Sequence, residues 1–211
     1  SGANLSNSNL SGANLKDAIL DNSKLYGADL TGAYLENASF KKVDIKGAKF
    51  NGAYMVGISF QNMDLRNANL EGIHMPGQDF KGLDLTGVNL QNAILKDSNF
   101  ENSNLANANL NSAYLNSVNF KNADMTNVSL NNADLGGADL TNANLDSAKI
   151  QNSFFKNAKM ENMNINETIT DSCFEQDLIN RMICKIKLEL NPDSPPYEQT
   201  YEFRDNYVLR N

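Results

Sequence analysis

Residue types that support enzymatic or metal chemistry are scarce in this chain. It contains one histidine, His74, and two cysteines, Cys173 and Cys184. A catalytic triad would have to be built around His74 alone, which has no cysteine near it in the sequence. The same counts exclude a multi-histidine or cysteine-rich zinc site and a disulfide framework. We therefore predict no enzymatic activity, no cofactor and no metal.

The elements that position the side chains come from a five-residue repeat. Every fifth residue from Leu5 to Ile165 is Leu, Phe, Ile or Met, which gives 33 apolar centres. The residue two before each centre is mostly Ala, Ser or Val, and all the glycines but Gly136, 12 of 13, stand at one position of the five-residue unit. A period of five fits neither an amphipathic helix nor a flat strand. It predicts a coil in which each unit forms one short side and one corner, with the centres and small residues inside.

The phenylalanines indicate how many units form one coil. Five of them are spaced by 20 residues: Phe40, Phe60, Phe80, Phe100 and Phe120. Four units per coil would stack these rings on one face, because neighbouring coils lie about one strand spacing apart, ~4.8 Å. We predict a four-sided, all-β solenoid of about eight coils, roughly 40 Å long.

The units ANLSN, ADLTG, ANLEG and ADLTN resemble those of the pentapeptide-repeat family, and the resemblance covers about residues 1–165. It implies a right-handed quadrilateral β-helix and no shared chemistry. Members with known functions include bacterial DNA mimics that bind type II topoisomerases such as DNA gyrase, and secreted effectors. Both functions are kept as alternatives for this chain.

The small position is irregular in the middle of the repeat. Between residues 58 and 83 it holds larger side chains: Ile58, Met63, Ile73, Gln78 and Leu83. We predict a locally wider coil there, with Phe60 and Phe80 repacked. The buried amide of Gln78 needs hydrogen-bond partners.

One outward face is apolar and aromatic. The residue before each centre should point to solvent, and sorting these residues by face places an uncommon set on the third face. We call this set the tyrosine stripe: Tyr34, Tyr54, His74, Ile94, Tyr114 and Phe154. Tyrosine is favoured in protein interfaces, so the stripe is a candidate protein-binding surface. The alternative is stacking between coils without a partner.

The first face carries a row of carboxylates. We call it the aspartate row: Asp44, Asp64, Asp84 and Asp124, with Asn104 between the last two. Such a row resembles the phosphates of DNA; the alternative is the ordinary preference of the repeat for Asp. The repeat region has 13 basic and 16 acidic residues, a weak excess for a DNA mimic, and the overall charge of −7 disfavours direct binding of nucleic acid.

The repeat stops after Ile165, and residues 166–211 form a second region. Ser172 and Glu175 make a capping box before a predicted helix at 173–186. One face of it is apolar and would cap the last coil or form a dimer interface: Phe174, Leu178, Ile179, Met182 and Ile183. An extended tail follows a proline-containing linker at 191–196. Three alternatives are open for the tail: it forms a homodimer, docks on the coil or leads into a further domain. A homodimer through the uncapped first coil is the alternative to its being covered by upstream residues.

Together these observations predict a β-helix at 1–165 with a helical cap and tail at 166–211. The predicted function is a non-enzymatic scaffold that presents a rigid surface to a protein partner. The alternatives are a topoisomerase-binding DNA mimic that confers drug or toxin resistance, and the targeting module of a larger secreted effector. No membrane span or signal peptide is visible, so we expect the cytoplasm, or a host cytosol for an effector.

Overall fold

A regular coil of 20 residues is the main feature of the structure, a computed structural model that describes residues 1–61 and 63–165 and the backbone of 201–204 and 207–210. Parallel bridges join residues 20 apart, from Asn4 with Lys24 to Asn144 with Asn164. Four pentapeptides therefore make one coil, as the phenylalanine spacing predicts.

Backbone hydrogen bonds run between coils in both directions. The N–H of Leu5 donates to the carbonyl of Lys24 at 2.8 Å, and the N–H of Lys24 donates back to Ala3 at 3.0 Å. Within a unit, the N–H of Ala28 donates to Leu25 at 2.9 Å and closes the corner. The corner needs a left-handed residue, such as Gly87 (φ 68°) or Asn102 (φ 57°), which explains why Gly and Asn recur there.

The core is a stack of centres flanked by small residues. From Leu20 onward almost every centre is buried. Phe60, Phe80, Phe100 and Phe120 form a stacked column with centroid distances of 5.6, 4.5 and 5.2 Å. The expected fifth ring is not part of it: Phe40 tilts against Phe50 at 6.4 Å instead. The prediction of a five-ring column is thus wrong for Phe40.

The coil loses its regular pairing at residues 57–66, which we call the joint. Among the described residues of the joint, no backbone group bonds to the backbone of a neighbouring coil. The larger residues at the small position coincide with this interruption, and Ile58 is buried. The side-chain amide of Gln78 donates to the carbonyl of Ile58 at 2.8 Å, where the backbone N–H of Asp79 would donate in a regular coil.

Near the C-terminus, β1 (Tyr201–Arg204) and β2 (Tyr207–Arg210) form an antiparallel hairpin in which Tyr201 pairs with Arg210. The predicted helix at 173–186 and its apolar face lie outside the described residues, so they stay predictions. In the part of the chain that the structure describes, no helix has the length and apolar character needed to cross a membrane.

Candidate functional site

The tyrosine stripe is a continuous ladder on the third face of the coil. Bridges join each member to the next, from Tyr34 to Tyr54, His74, Ile94 and Tyr114, and then through Asp134 to Phe154. In the described residues, the third face is the one face whose bridges continue across the joint. The 20-residue period therefore brings these predicted residues together.

The rings of the stripe stack and remain accessible. Tyr34 and Tyr54 are nearly parallel, with centroids 5.1 Å apart and an interplanar angle of 7°. His74 tilts against Tyr54 at 5.3 Å. Tyr34 and Tyr114 expose 47% and 55% of their surfaces, and Phe154 exposes 63%. The three tyrosines and Phe154 thus keep 40–63% of their surfaces accessible to another molecule, although Tyr34, Tyr54 and His74 contact one another.

His74 takes part in this stack and in no catalytic cluster. Its Nδ1 atom is buried without a hydrogen-bond partner among the described residues. No group of three or more His, Cys, Asp or Glu side chains that could hold a metal occurs in the described part of the chain. The imidazole is therefore best described as one ring of an aromatic ladder.

Glycine corners border the middle of the stripe. Gly52 and Gly72 precede the sides that carry Tyr54 and His74, and Gly57 and Gly77 follow them. A Cβ at Gly52 or Gly77 would meet nothing within 4 Å, whereas one at Gly57 would meet the side chain of Asn37 and one at Gly72 the backbone of Gly52. The space beside the rings is therefore open at two of these four glycines.

The aspartate row is only partly assembled. Bridges connect Asp84 through Asn104 to Asp124, whereas none joins Asp44 to Asp64 or Asp64 to Asp84. The joint contains Asp64 and so separates Asp44 from Asp84.

An arginine binds one carboxylate of the row. The guanidinium of Arg66 donates to both oxygens of Asp64, at 2.8 Å from Nε and 2.7 Å from Nη2. These hydrogen bonds, helped by the backbone N–H of Arg66, lower the pKa of Asp64 to about 2. A hydrogen bond from the side chain of Thr86 likewise lowers the pKa of Asp84. The row therefore contains a neutralising cation at its centre.

Sequence analysis missed a cleft beside the joint. It has a volume of about 660 Å³ and mixed charges at its walls, with Asp44, Lys46 and Lys49 on one side and Asp64 and Arg66 on the other. The cleft separates the coil at 43–50 from the coil at 64–69. The run of large residues at the small position was the signal that could have located it.

The coil of parallel bridges around apolar centres defines the class of protein as a β-helical solenoid. The family model for pentapeptide repeats matches eight copies, over residues 1–37, 23–57, 58–97, 84–122, 93–132 and 123–162. The chain belongs to the pentapeptide repeat family. Proteins of this family form right-handed quadrilateral β-helices and are generally structural or binding proteins.

Several solved structures are similar to the chain. HetL, a pentapeptide repeat protein involved in heterocyst differentiation regulation in the cyanobacterium Nostoc sp. strain PCC 7120, is 22% identical. The match covers 77% of this chain and 84% of HetL with a TM-score of 0.27. Full-length QnrB1, a plasmid-mediated fluoroquinolone resistance protein, is 15% identical over 90% of this chain and 97% of its own, with a TM-score of 0.34. No curated protein matched the chain. No functional conclusion follows from these likenesses.

Proposed function

We propose that the chain is a non-enzymatic scaffold that binds a protein partner through the tyrosine stripe. The observation that carries this proposal is the unbroken ladder of bridges on the third face, along which Tyr34, Tyr54 and Tyr114 expose 40–55% of their surfaces. A right-handed rod of about eight coils, acting in the cytoplasm, would hold these rings at fixed spacing. Preordered aromatic side chains lose little conformational entropy on binding, which favours a stable contact.

The surroundings of the stripe indicate the chemistry of the partner. Tyr34 and Tyr114 are four coils apart, or ~19 Å, and the corners between them are mostly uncharged. At the corners that border the third face from residue 31 to residue 117, the charged side chains are Glu36, Glu71, Lys96 and Asp97. The stripe therefore fits a protein surface that is apolar and low in charge, in which rings become buried at the centre of the contact.

The proposal that the chain is not an enzyme is supported by the sparse chemistry of the described residues. The nucleophile, base and orienting group of a covalent mechanism have to lie within hydrogen-bond distance of one another. His74 instead contacts the ring of Tyr54. The general role of the family in structure and binding agrees with this proposal.

The test compares two triple variants of the full chain. One replaces Tyr34, Tyr54 and Tyr114 with Asn; the control replaces outward Ile19, Ser59 and Ser129 with Asn on the other faces. Each is fused to a proximity-labelling enzyme in the source cell, and labelled proteins are quantified against the natural chain. We expect one defined partner to be labelled equally by the natural chain and the control. The tyrosine variant should label that partner at least tenfold less. Equal labelling by all three chains, with circular dichroism showing that each is folded, would refute the role of the stripe.

A second candidate, a DNA-mimicking binder of type II topoisomerases, is favoured by the bridged part of the aspartate row from Asp84 to Asp124. It ranks lower because the joint interrupts the row and Arg66 neutralises Asp64. A gyrase supercoiling assay distinguishes the two candidates. Inhibition that disappears with Asp84→Asn and Asp124→Asn would support the mimic. No inhibition at micromolar protein would leave the scaffold as the proposed function.

A further inference from the structure

The hydrogen bonding around the joint is asymmetric. On the third face the backbone N–H of Tyr54 donates to the carbonyl of Ala33 at 3.0 Å, as in a regular coil. The backbone N–H of His74 likewise donates to the carbonyl of Ala53 at 2.9 Å. On the other three faces the described residues make no equivalent bond across the joint, from residues 59, 64 and 69 back to residues 38, 43 and 48. Among the described residues there, the N–H groups of Ile45 and Phe50, which should donate to residues 64 and 69, have no acceptor.

Packing changes at the same place. The phenylalanine column ends at Phe60, and Phe40 on the preceding coil turns toward Phe50. The joint is held mainly by its buried side chains, since Phe60 and Leu65 each expose 1% of their surface. Burial without inter-coil hydrogen bonds between backbone groups permits displacement along the rod axis more easily than a paired ladder does.

We infer that the protein consists of two stiff β-helical blocks, residues 1–56 and 67–165, that hinge at the joint along the bridged pair Tyr54 and His74. On the third face, neighbouring coils stay within hydrogen-bond distance, whereas on the opposite first face the cleft separates them. The rod therefore bends toward the third face. Bending makes the tyrosine stripe concave, with Tyr34 and Tyr54 on one block and His74, Ile94 and Tyr114 on the other.

The hinge is inferred independently of the proposed function. Its consequence for partner binding rests on that function. A concave stripe fits a rounded partner surface, such as a helix or a folded loop laid across the hinge line, better than it fits a flat sheet. Movement at the joint would adjust the angle between the two halves of the stripe to that partner. The hinge is measured on the protein without a partner. A negative result for the hinge is therefore distinguishable from a failure of the stripe to bind.

The first experiment measures distances between spin labels in a background with Cys173→Ser and Cys184→Ser. Three cysteine pairs each span four coils, or ~19 Å in a straight rod. Lys24 with Asn104 crosses the joint on the first face. Asn14 with Ile94 crosses it on the third face. Asp84 with Asn164 lies on the first face within the paired ladder.

We expect the Asn14–Ile94 and Asp84–Asn164 distances to be short and narrowly distributed. The Lys24–Asn104 distance should be longer, with a distribution at least twice as wide. If the three distributions have the same mean and width, the rod is straight and stiff, and the inference is wrong.

A second experiment needs no substitution. Amide hydrogen exchange is compared between two sets of backbone N–H groups. The first set, around the joint, is Ile45, Gly47, Phe50 and Leu65. The second set, forty residues later, is Leu85, Gly87, Leu90 and Leu105. The latter donate inter-coil hydrogen bonds of 2.6–2.9 Å. We expect the first set to exchange at least a hundredfold faster. Equal protection of both sets would overturn the inference even if the labelled variants failed to fold.

Discussion

Replacing Phe100 with Leu tests whether the phenylalanine column stabilises the rod beyond simple burial. Phe100 is fully buried, and its ring centroid lies 4.5 Å from Phe80 and 5.2 Å from Phe120. Aromatic pairs contribute about 0.5–1.5 kcal/mol each beyond the area they bury. Removing two stacked pairs should therefore cost about 1–3 kcal/mol.

Phe40→Leu is the matched control because it makes the same chemical change at the same position of the repeat. Phe40 exposes 2% of its surface, but it makes one tilted contact at 6.4 Å instead of two stacked ones. The loss of burial is the same in both variants, so the difference between them isolates the stacking. We expect Phe100→Leu to be less stable than Phe40→Leu by about 0.5–1.5 kcal/mol, the contribution of one aromatic pair.

Thermal and urea unfolding, followed by circular dichroism, measures the difference. For a chain of this size 1 kcal/mol shifts the melting temperature by roughly 2–4 °C, so the two variants should melt about 1–6 °C apart. Because solenoids can unfold in parts, a second probe of the C-terminal block should report the same transition. Melting temperatures within 1 °C of each other would refute the claim that stacking stabilises the column.

Three further predictions concern single side chains. NMR titration of Asp64 should give a pKa of about 2, and Arg66→Gln should return that pKa toward 3.8. Because the folded pKa is depressed, the pair stabilises the fold above pH 4, and its contribution is lost as the pH falls toward 2. The effect on stability is small since both side chains are more than half exposed. An unchanged pKa of Asp64 in Arg66→Gln would contradict the role of Arg66 in lowering it. Gln78→Leu should lower the free energy of unfolding in urea by about 1–3 kcal/mol, because the carbonyl of Ile58 loses the amide donor; an unaltered urea midpoint would argue against that role. Gly82→Ala should cost about 1–2 kcal/mol in thermal unfolding through its φ of 68° alone, and Gly82→Asn should cost less. Equal losses would show that the backbone angle is not the cause.

The repeat made most of the fold predictable because its information is local. Each centre, small residue and corner occurs within five consecutive residues, and Gly or Asn occupies most of the left-handed corners. The spacing of the phenylalanines then gave the length of the coil, which placed the members of the tyrosine stripe on one face. The alternation of side chains along the coil required no tertiary information.

The joint could not be derived in the same way, because it depends on how two neighbouring coils match. The bulky Ile58 and Met63 indicated where the core changes, but side-chain sizes alone do not show which inter-coil hydrogen bonds are lost. The amide of Gln78 required knowledge of the carbonyl of Ile58, a contact between residues 20 apart. The pairing of Arg66 with Asp64 depends on the side-chain rotamers at one corner. Whether the stripe or the aspartate row binds a partner stays a prediction.

The 20-residue coil also restricts how the length of this protein can change during evolution. Inserting 20 residues would lengthen the rod by one step of ~4.8 Å and leave every later residue on its original face. Inserting or deleting only five would keep the core pattern but rotate everything downstream by a quarter turn. After such a change near residue 84, Ile94 and Tyr114 would no longer continue the row begun by Tyr34 and Tyr54, although the chain would still fold. Selection on a binding face should therefore accept length changes by whole coils and reject single repeats, whereas selection on stability alone would accept both.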